Sequence, residues 1–425
     1  MRFRTNVSAV AVIAVLTATT FQFAAPLSAD ARGGGVVTQG GHHIQTPPPV
    51  QPVPVDNVRN FGAVGDGVTD DTNAIQNATN DATSRHIGVF FPPGTYLHAN
   101  SITFNGVSVT GSGTASQLVS NNPTNCSVIL TGVGPSIQNI VISTQSLTGP
   151  PSPAQPTTLT IQNATSFTVS NNTIVQGSNI TGIFVQTSSV GSINSNVCDG
   201  TGNPGNVGIL IEEGANITVD NNLLQNEATG IEVRSSLYIA IESNTVGNVA
   251  FPTQVFGIFT NTVVVLDISQ NTVQMANSNP GLPFDNTAIF PELCDQFAIS
   301  GNSTWGGFNG IFIGQTGPTG SRVTQNVIHN CGGSGITVDN GGASAIQVTG
   351  NAFGECGLFS ALPVIAVGPS GADASGATTF IQNNSYQGHL NNLTFYVQCL
   401  FTSPNIPAAN VTGNTQTQTT LQNSI

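Results

Sequence analysis

ITVDNNLLQ, at residues 217–225, is the segment that decides the fold, because its pattern returns at regular intervals along the chain. It returns as IAIESNTVG at 239–247 and as LDISQNTVQ at 266–274, each time with Asn in the sixth place. The marker asparagines that this pattern identifies are Asn172, Asn196, Asn222, Asn244, Asn271, Asn302, Asn326, Asn351 and Asn384, with Asn414 as a weaker tenth. Successive markers are 22 to 33 residues apart, and a period of this length is typical of a stacked array of similar units.

The repeating units have the pattern of strands rather than of helices. A Val or Ile stands three residues before the marker, as in Val219, Ile241 and Ile268, with polar or small residues on either side. Such alternation predicts β-strands, and no unit contains an amphipathic stretch of helical length. A leucine-rich repeat has a similar period, but its Leu-x-x-Leu-x-Leu framework is absent. We therefore predict an all-β fold, a single-stranded parallel β-helix (solenoid), with apolar residues inside and the marker asparagines stacked in a hydrogen-bonded ladder.

The composition argues against a nucleic-acid-binding protein. The 425 residues include 7 Lys and Arg, all of them Arg, and 20 Asp and Glu, which gives a formal net charge of −13. Charged residues make up 6% of the chain, against about 25% in an ordinary soluble domain. Because nucleic-acid binding needs a basic patch, no nucleic acid is expected among the partners.

The N-terminal residues predict export. Residues 1–31 resemble a secretory signal peptide, with a positively charged start, an apolar run at 7–16 and an Ala-Asp-Ala cleavage site at 29–31. Residues 32–55 are rich in Gly and Pro and predict an extended linker. The domain is expected at 56–425, where no stretch is apolar and long enough to span a membrane. The mature chain is therefore expected to be secreted or periplasmic, without a membrane span.

Three carboxylates are expected to share one outward face of the β-helix. Alignment on the marker places Asp220 and Glu242 two residues before it on consecutive coils, and Asp267 four residues before it on the next coil. Neighbouring strands lie about 4.8 Å apart, so these carboxylates are the best candidates for catalytic residues. Glycosidic hydrolysis uses two carboxyl groups, whereas a Ca²⁺ ion bound by the three could serve a lyase. A solvated acidic patch without chemistry is the alternative.

A second outward face follows a Gly-Ile pair that recurs in phase with the marker. Its candidate substrate-binding residues are Phe184, Glu232, Arg234, Phe259 and Phe312. Aromatic rings beside carboxylates can bind sugars by stacking. A long loop or a second subunit that covers the row is the alternative. Glu212 lies opposite Arg234 on the preceding coil, and we predict an ion pair between them.

Two further pairs of residues are expected to stack on adjacent coils. Trp305, the only Trp, pairs with His329, and the two are candidates for substrate binding or for structural packing. Cys331 and Cys356 both lie five residues after their marker, which brings them within reach of a disulfide in an exported protein. Cys198 falls in the inward column and is expected to be a free core thiol.

Two N-terminal segments carry a family resemblance, NVRNFGAVGDGVTDDTNAIQNA at 57–78 and VFFPPGTY at 89–96. Together they resemble the start of the pectate-lyase-like superfamily, which includes polygalacturonase-like and rhamnogalacturonase/epimerase-like proteins. The resemblance implies that the parallel β-helix is right-handed and acts on an acidic or neutral polysaccharide. Within this segment, Asp70 or Asp71 can cap a short helix over 72–83 that covers the open end of the first coil.

These observations together predict an exported protein that cleaves or modifies a polysaccharide, by lyase, hydrolase or epimerase chemistry. Asp220, Glu242 and Asp267 are its expected site, polysaccharide is its expected partner, and Ca²⁺ is a cofactor that these carboxylates could bind. The enzyme motifs Asn-Thr-Asp, Trp-x-Asp-His and Asp-Pro-His-Asp of the superfamily are absent. Their absence favours the alternative of a non-catalytic glycan-binding or adhesion protein. The sequence leaves the oligomeric state open.

Overall fold

The computed structural model describes residues 54–121, 128–144, 156–200, 206–249, 255–275, 286–314, 320–339, 346–356, 364–368, 379–388, 397–399 and 411–418. The predicted signal peptide and nearly all of the predicted linker fall outside these residues. Val55, at the end of that linker, already belongs to the first strand, Val55–Asn57.

Parallel β-sheet dominates the described residues, as the alternating repeat predicts. Among these residues, 24 strands form a larger sheet and 14 form a smaller one. The strands of the larger sheet are Val55–Asn57, Gly88–Phe90, Ile102–Asn105, Ser108–Thr110, Val128–Val133, Ser136–Gln138, Thr157–Ser170, Thr181–Gln186, Ser189–Asn194, Val207–Glu212, Ala215–Asp220, Thr229–Glu242, Val255–Val263, Val265–Ser269, Asn286–Glu292, Gln296–Ser300, Asn309–Ile313, Ser321–Thr324, Ile336–Asp339, Ile346–Thr349, Ile365–Gly368, Thr379–Gln382, Val397–Cys399 and Val411–Thr412. The strands of the smaller sheet are Asp66–Asp70, Gly94–His98, Ser116–Ser120, Val141–Thr144, Thr173–Val175, Val197–Asp199, Leu223–Gln225, Thr245–Val249, Thr272–Met275, Ser303–Trp305, Val327–His329, Ala352–Gly354, Ser385–Gly388 and Thr415–Gln418.

One coil shows how the repeat becomes structure. Val207–Glu212 and Ala215–Asp220 belong to the larger sheet and Leu223–Gln225 to the smaller, and the next coil pairs with them in parallel. The residue before each marker Asn has a positive φ, for example 54° at Asn221 and 57° at Ser243. This left-handed turn explains why Asn, Ser, Gln or Gly precedes the marker, since these residues tolerate it better than β-branched ones.

The marker asparagines form a continuous ladder from Asn172 to Asn414, which confirms the prediction. The amide oxygen of each marker accepts from the backbone N–H and from Nδ2 of the marker before it, as Asn244 Oδ1 does from Asn222 at 2.9 Å. Nδ2 of Asn244 also donates to the carbonyl of Val219 at 2.9 Å. The markers up to Asn384 are at most 2% exposed, so the ladder satisfies polar groups that water does not reach.

The apolar column three residues before the marker lies inside the coils. Val219 and Ile241 are in register with one another and are fully buried. Cys198 is in register with Ile174 and Leu224 on the neighbouring coils, and it is a buried free thiol, as predicted. Apolar contacts and neutral amides therefore hold the stack together with few charges.

A helix covers the N-terminal end of the stack, as predicted. Helix α1 (Thr72–Arg85) packs with its buried Ile75 against the first strands, and 3₁₀ helices span Val58–Phe61 and Gly113–Ala115. The cap of α1 comes from Asp70, whose Oδ1 accepts the backbone N–H of Thr72 at 3.0 Å. This contact satisfies one of the donors that the first turn of a helix leaves free.

Candidate functional site

The three predicted catalytic carboxylates occupy the expected columns on the larger sheet. Asp220 is in register with Glu242, and Asp267 is in register with Ala240 on the strand that carries Glu242. All three side chains are partly exposed. From strand spacing and rise, Asp220 and Glu242 lie about 5 Å apart, and Asp267 lies diagonally from Glu242 at about 8 Å.

Of these three carboxylates, Asp267 lines a cleft, which has a volume of about 560 Å³. Ala240 and Ala298 stand in register with Asp267 on the coils before and after, so the space on both sides of the carboxylate is open. Arg322 follows Ala298 in the same column and lines one end of the cleft, about 10 Å from Asp267 by strand spacing. One oxygen of Asp267 is buried without a hydrogen-bond partner. The cleft therefore presents a carboxylate and a guanidinium to an entering molecule.

Arg322 is an uncommitted cation in the described part of the chain. Arg59 donates to Tyr96 and to the carbonyl of Pro93, and the other two described arginines form ion pairs with carboxylates. Arg322 is exposed, and no hydrogen bond or ion pair holds its side chain among the described residues. A guanidinium at this position can bind an anionic group of a ligand.

A calcium site built from Asp220, Glu242 and Asp267 stays a prediction, and the side-chain geometry gives it no support. Within the residues that the structure describes, no group of three or more His, Cys, Asp or Glu side chains converges closely enough to hold a metal ion. Side chains on a sheet stand roughly parallel to one another. The offset of Asp267 by one coil and two residues therefore carries its carboxylate away from the other two and into the cleft.

The face that follows the Gly-Ile pairs carries a row of phenylalanine rings, which we call the Phe row. It consists of Phe259, Phe290 and Phe312 on successive coils, with ring centroids 5.4 and 4.9 Å apart, and of Phe256, 5.0 Å from Phe259. All four rings are partly exposed. They form an apolar surface on which the faces of sugar rings can stack.

Sequence reasoning missed Phe290 but placed Phe184 in the correct column. The coil of Phe290 carries Ala288 before Ile289, in place of the Gly-Ile pair. The available signal was the gap of two periods between Gly257 and Gly310, which implies an unmarked coil between them. Phe184 shares the column but is separated from the Phe row by a Leu and a Glu on the two coils between them.

Glu232 stands at one end of the Phe row. It is in register with Phe259 on one side and Leu210 on the other, and it is 6% exposed. Burial raises the pKa of its carboxyl, the adjacent Arg234 partly offsets this, and the charge of Glu212 raises the pKa further. Nε of Arg234 donates to Oε1 of Glu232 at 2.6 Å. A carboxyl that keeps its proton to higher pH beside an apolar surface is suited to general acid catalysis.

The predicted ion pair between Glu212 and Arg234 is wrong. Arg234 is in register with Glu212, but its guanidinium turns along its own strand and pairs with Glu232. Residues two apart on a strand share a face, and an unpaired buried carboxylate is costlier than an unpaired exposed one. Glu212 stays partly exposed, diagonal to Glu232 at about 8 Å by strand geometry.

Trp305 and His329 stack on adjacent coils of the smaller sheet, as predicted. Their ring centroids are 5.7 Å apart, with 39° between the ring planes. They line a second cleft, of about 390 Å³. Trp305 is 48% exposed, so it is accessible to a ligand, but it belongs to a different sheet from the Phe row.

Cys331 and Cys356 lie next to each other in the core, and the structure holds them as free thiols. The neighbouring Cys356 thiol, together with burial, raises the pKa of Cys331 well above its usual value. The disulfide between them stays a prediction for the oxidised protein.

A buried carboxyl that sequence reasoning did not identify belongs to Glu227. It is fully buried, and neither of its carboxyl oxygens has a hydrogen-bond partner. Burial, and then the charge of Asp199, raises its pKa well above the usual value. The only signal in the sequence was Gly200 on the preceding coil, where a Cβ would collide with Glu227 Oε2.

The chain matches the sequence profiles of two known families. The profile described as rhamnogalacturonase A/epimerase, pectate lyase-like matches residues 55–283, which is more than half of the chain. The profile described as right handed beta helix region matches residues 208–386 and gives the hand of the coil. No curated protein sequence matches the chain.

In the part of the chain that the structure describes, no helix has the length and apolar character needed to cross a membrane.

Several solved structures share the fold at low identity. PfbA, a surface adhesin of Streptococcus pneumoniae, has a TM-score of 0.57 at 16% identity, over 80% of this chain and 93% of that one. A tailspike of Pseudomonas phage phi297 has a TM-score of 0.57 at 11% identity, over 84% and 83%. The catalytic unit of an α-1,3-glucanase from Streptomyces thermodiastaticus has a TM-score of 0.51 at 14% identity, over 86% and 69%. At these identities the likeness concerns the fold alone.

Proposed function

Because the chain belongs to the rhamnogalacturonase A/epimerase, pectate lyase-like family, we propose that it is an exported protein that hydrolyses a polysaccharide, with Glu232 as the general acid. The proposal depends on one observation, the buried Glu232 carboxyl with its raised pKa at the end of the partly exposed Phe row. The signal peptide predicted at 1–31 supports export.

Glu232 and Glu212 divide the chemistry between them. Protonated Glu232 gives its proton to the glycosidic oxygen as the bond from that oxygen to the anomeric carbon breaks. Ionised Glu212 takes a proton from a water molecule, and the oxygen of that water attacks the anomeric carbon. By strand geometry the two residues lie about 8 Å apart, and the two carboxyl groups of inverting enzymes are about 6.5–9.5 Å apart. Inversion at the anomeric carbon is therefore the expected outcome.

Arg234 is a positioning residue in this mechanism. Its hydrogen bond to Glu232 Oε1 fixes one carboxyl oxygen and leaves the other to carry the proton. After proton transfer, the guanidinium stabilises the carboxylate that forms. The Phe row binds neighbouring sugar units by stacking, so the polysaccharide lies along the axis of the coils.

A panel of polysaccharides tests this proposal. The protein is incubated with polygalacturonate, alginate and neutral glucans, and two products are measured, new reducing ends and the ultraviolet absorbance of unsaturated uronates. Hydrolysis at Glu232 gives reducing ends without absorbance. Binding without either product would replace hydrolysis by glycan binding or adhesion.

The cleft of Asp267 supports a second candidate function, lyase or epimerase chemistry on a uronate. The observation that favours it is the buried, unpartnered oxygen of Asp267, with the uncommitted Arg322 in the same column. Arg322 would bind the uronate carboxylate, and Asp267 would remove the proton next to it. The electron pair of that C–H bond forms the double bond of an unsaturated sugar as the bond to the glycosidic oxygen breaks, and this oxygen takes a proton from water. Asp220 and Glu242, beside the cleft, would bind hydroxyl groups of the same chain.

The ultraviolet absorbance measured with the same panel of polysaccharides distinguishes the Asp267 cleft from the Glu232 site. Absorbance that Asp267→Asn removes and Glu232→Gln leaves intact assigns the activity to the Asp267 cleft. Reducing ends that Glu232→Gln removes and Asp267→Asn leaves intact assign it to the Phe row.

A further inference from the structure

A column of outward side chains crosses the smaller sheet at the cleft of Trp305. Trp305 is in register with Gln274 on the preceding coil and with His329 on the following one. His329 is in register with Gly354, and Gly354 with Gln387. Along the column, the outward groups are the amide of Gln274, the indole of Trp305, the imidazole of His329 and the amide of Gln387, with no side chain at Gly354. Successive coils lie about 4.8 Å apart.

Gly354 makes the hollow in this column. A Cβ at this position would collide with Nδ1 of His329, so a larger residue would displace the imidazole. With Gly there, the imidazole lies over the backbone of the next coil and beside the indole of Trp305. The cleft of about 390 Å³ consequently has an aromatic wall.

Neutral hydrogen-bonding groups surround the aromatic wall. Asn330, Ser385 and Gln387 line the cleft and supply both donors and acceptors. Trp305 supplies a large, rigid apolar plane. A pyranose ring has the complementary chemistry, with apolar C–H groups on its faces and hydroxyl groups around its edge. A few polar groups around an apolar surface are what small-molecule sites generally offer.

The charges of the residues that line the Trp305 cleft favour neutral sugars over uronates. Glu355 contributes a carboxylate to the described lining, and no Arg lies there; the chain contains no Lys. A uronate in this cleft would meet Glu355 without a permanent cation to balance its charge, which disfavours it. We propose that the Trp305 cleft is a binding site for a neutral polysaccharide, separate from the cleavage site proposed at Glu232 on the other sheet.

The single Trp of the chain makes the test specific. Fluorescence excited at a wavelength that tyrosine does not absorb reports on Trp305 alone, and it is titrated with neutral gluco-oligosaccharides of several linkages and with oligogalacturonate at millimolar concentration. A saturable change in emission is expected with at least one neutral oligosaccharide and not with oligogalacturonate. No change with any neutral oligosaccharide, or an equal change with oligogalacturonate, would overturn the proposal.

Variants separate this site from the proposed site of cleavage. His329→Ala, and Gly354→Ala through displacement of the imidazole, should each weaken the fluorescence-detected affinity about fivefold. Glu232→Gln should leave the fluorescence titration unchanged even though it removes hydrolysis. Trp305→Ala should lose retardation in electrophoresis through a gel that contains the neutral polysaccharide. Unchanged retardation of Trp305→Ala, with the fold verified by circular dichroism, would contradict the assignment.

Discussion

At the scale of single residues, two buried glutamates have different surroundings. Glu232 pairs with Arg234 and stands beside the Phe row, whereas Glu227 is fully buried with both carboxyl oxygens unpartnered. Burial raises the pKa of both carboxyls. A substrate can lie against Glu232 but cannot reach Glu227. The acid role therefore stays a proposal for Glu232, and for Glu227 we expect a structural role.

Replacement of Glu227 by Gln should stabilise the protein at alkaline pH. A carboxyl whose pKa is raised by folding contributes its full stability below its unfolded pKa of about 4.3, and loses it as the pH rises through the folded pKa. As the pH rises from the unfolded pKa to the folded pKa of Glu227, the free energy of unfolding of the wild type should therefore fall, and that of Glu227→Gln should fall less. Urea unfolding from about pH 5 to about pH 9 gives the slope of the free energy of unfolding against pH for each protein. Glu213→Gln, at an exposed site, should follow the wild type, and identical slopes for all three proteins would contradict the raised pKa.

The sequence predicted which face each of these residues occupies, but not which partner each one meets. Alternation depends on the backbone alone, so it placed Asp220, Glu242 and Asp267 in the correct columns. Whether Arg234 pairs with Glu212 or with Glu232 depends on how deeply each carboxyl is buried, and this burial is set only when the coils pack. The fully buried position of Glu227 has the same origin.

At the scale of elements, the repeat predicted the ladder but not the clefts. The ladder follows from one residue type at one position in every unit. The Asp267 cleft instead arises because small residues, Ala240 and Ala298, occur on both neighbouring coils. The Trp305 cleft arises in the same way from Gly354. Such hollows depend on the combination of residues across three coils, and no single unit of the repeat carries the signal.

Removal of one amide from the ladder should destabilise the whole stack. In Asn244→Ala, the backbone N–H and Nδ2 of Asn222 lose their common acceptor, Oδ1 of Asn244. Each buried polar group left unsatisfied costs about 1–3 kcal/mol, so the free energy of unfolding should fall by about 3 kcal/mol. Denaturant unfolding gives this value. The neighbouring exposed site provides the control, since Thr245→Ala should cost less than about 1 kcal/mol; an equal loss in both variants would argue against the ladder.

At the scale of the whole molecule, the scarcity of charge follows from the architecture. Charged residues are 6% of the chain, because apolar columns and a neutral amide ladder stabilise the coils. The open end of a parallel stack remains exposed to pairing with another chain. Helix α1 covers the N-terminal end with Ile75, so this helix should protect the protein from association.

Disruption of α1 should therefore produce association. In Ile75→Asp, a carboxylate would be buried without a partner, which costs several kcal/mol, and the helix should detach from the first coil. Size-exclusion chromatography with light scattering should show larger species than the wild type forms. Asn73→Asp places the same side chain at an exposed site of the same helix and should elute as the wild type does. Unchanged elution and stability of Ile75→Asp would show that α1 does not protect this end.

The central claim is that Glu232 is the acid in polysaccharide hydrolysis, and the release of reducing ends by wild type and Glu232→Gln tests it most directly. The variant should lose about a hundred- to ten-thousand-fold in kcat, with unchanged thermal unfolding, while Glu213→Gln keeps the wild-type rate. Because the protonated carboxyl is the active form, the wild-type rate should fall as the pH rises through the raised pKa of Glu232. Release of reducing ends by Glu232→Gln at the wild-type rate would contradict the account.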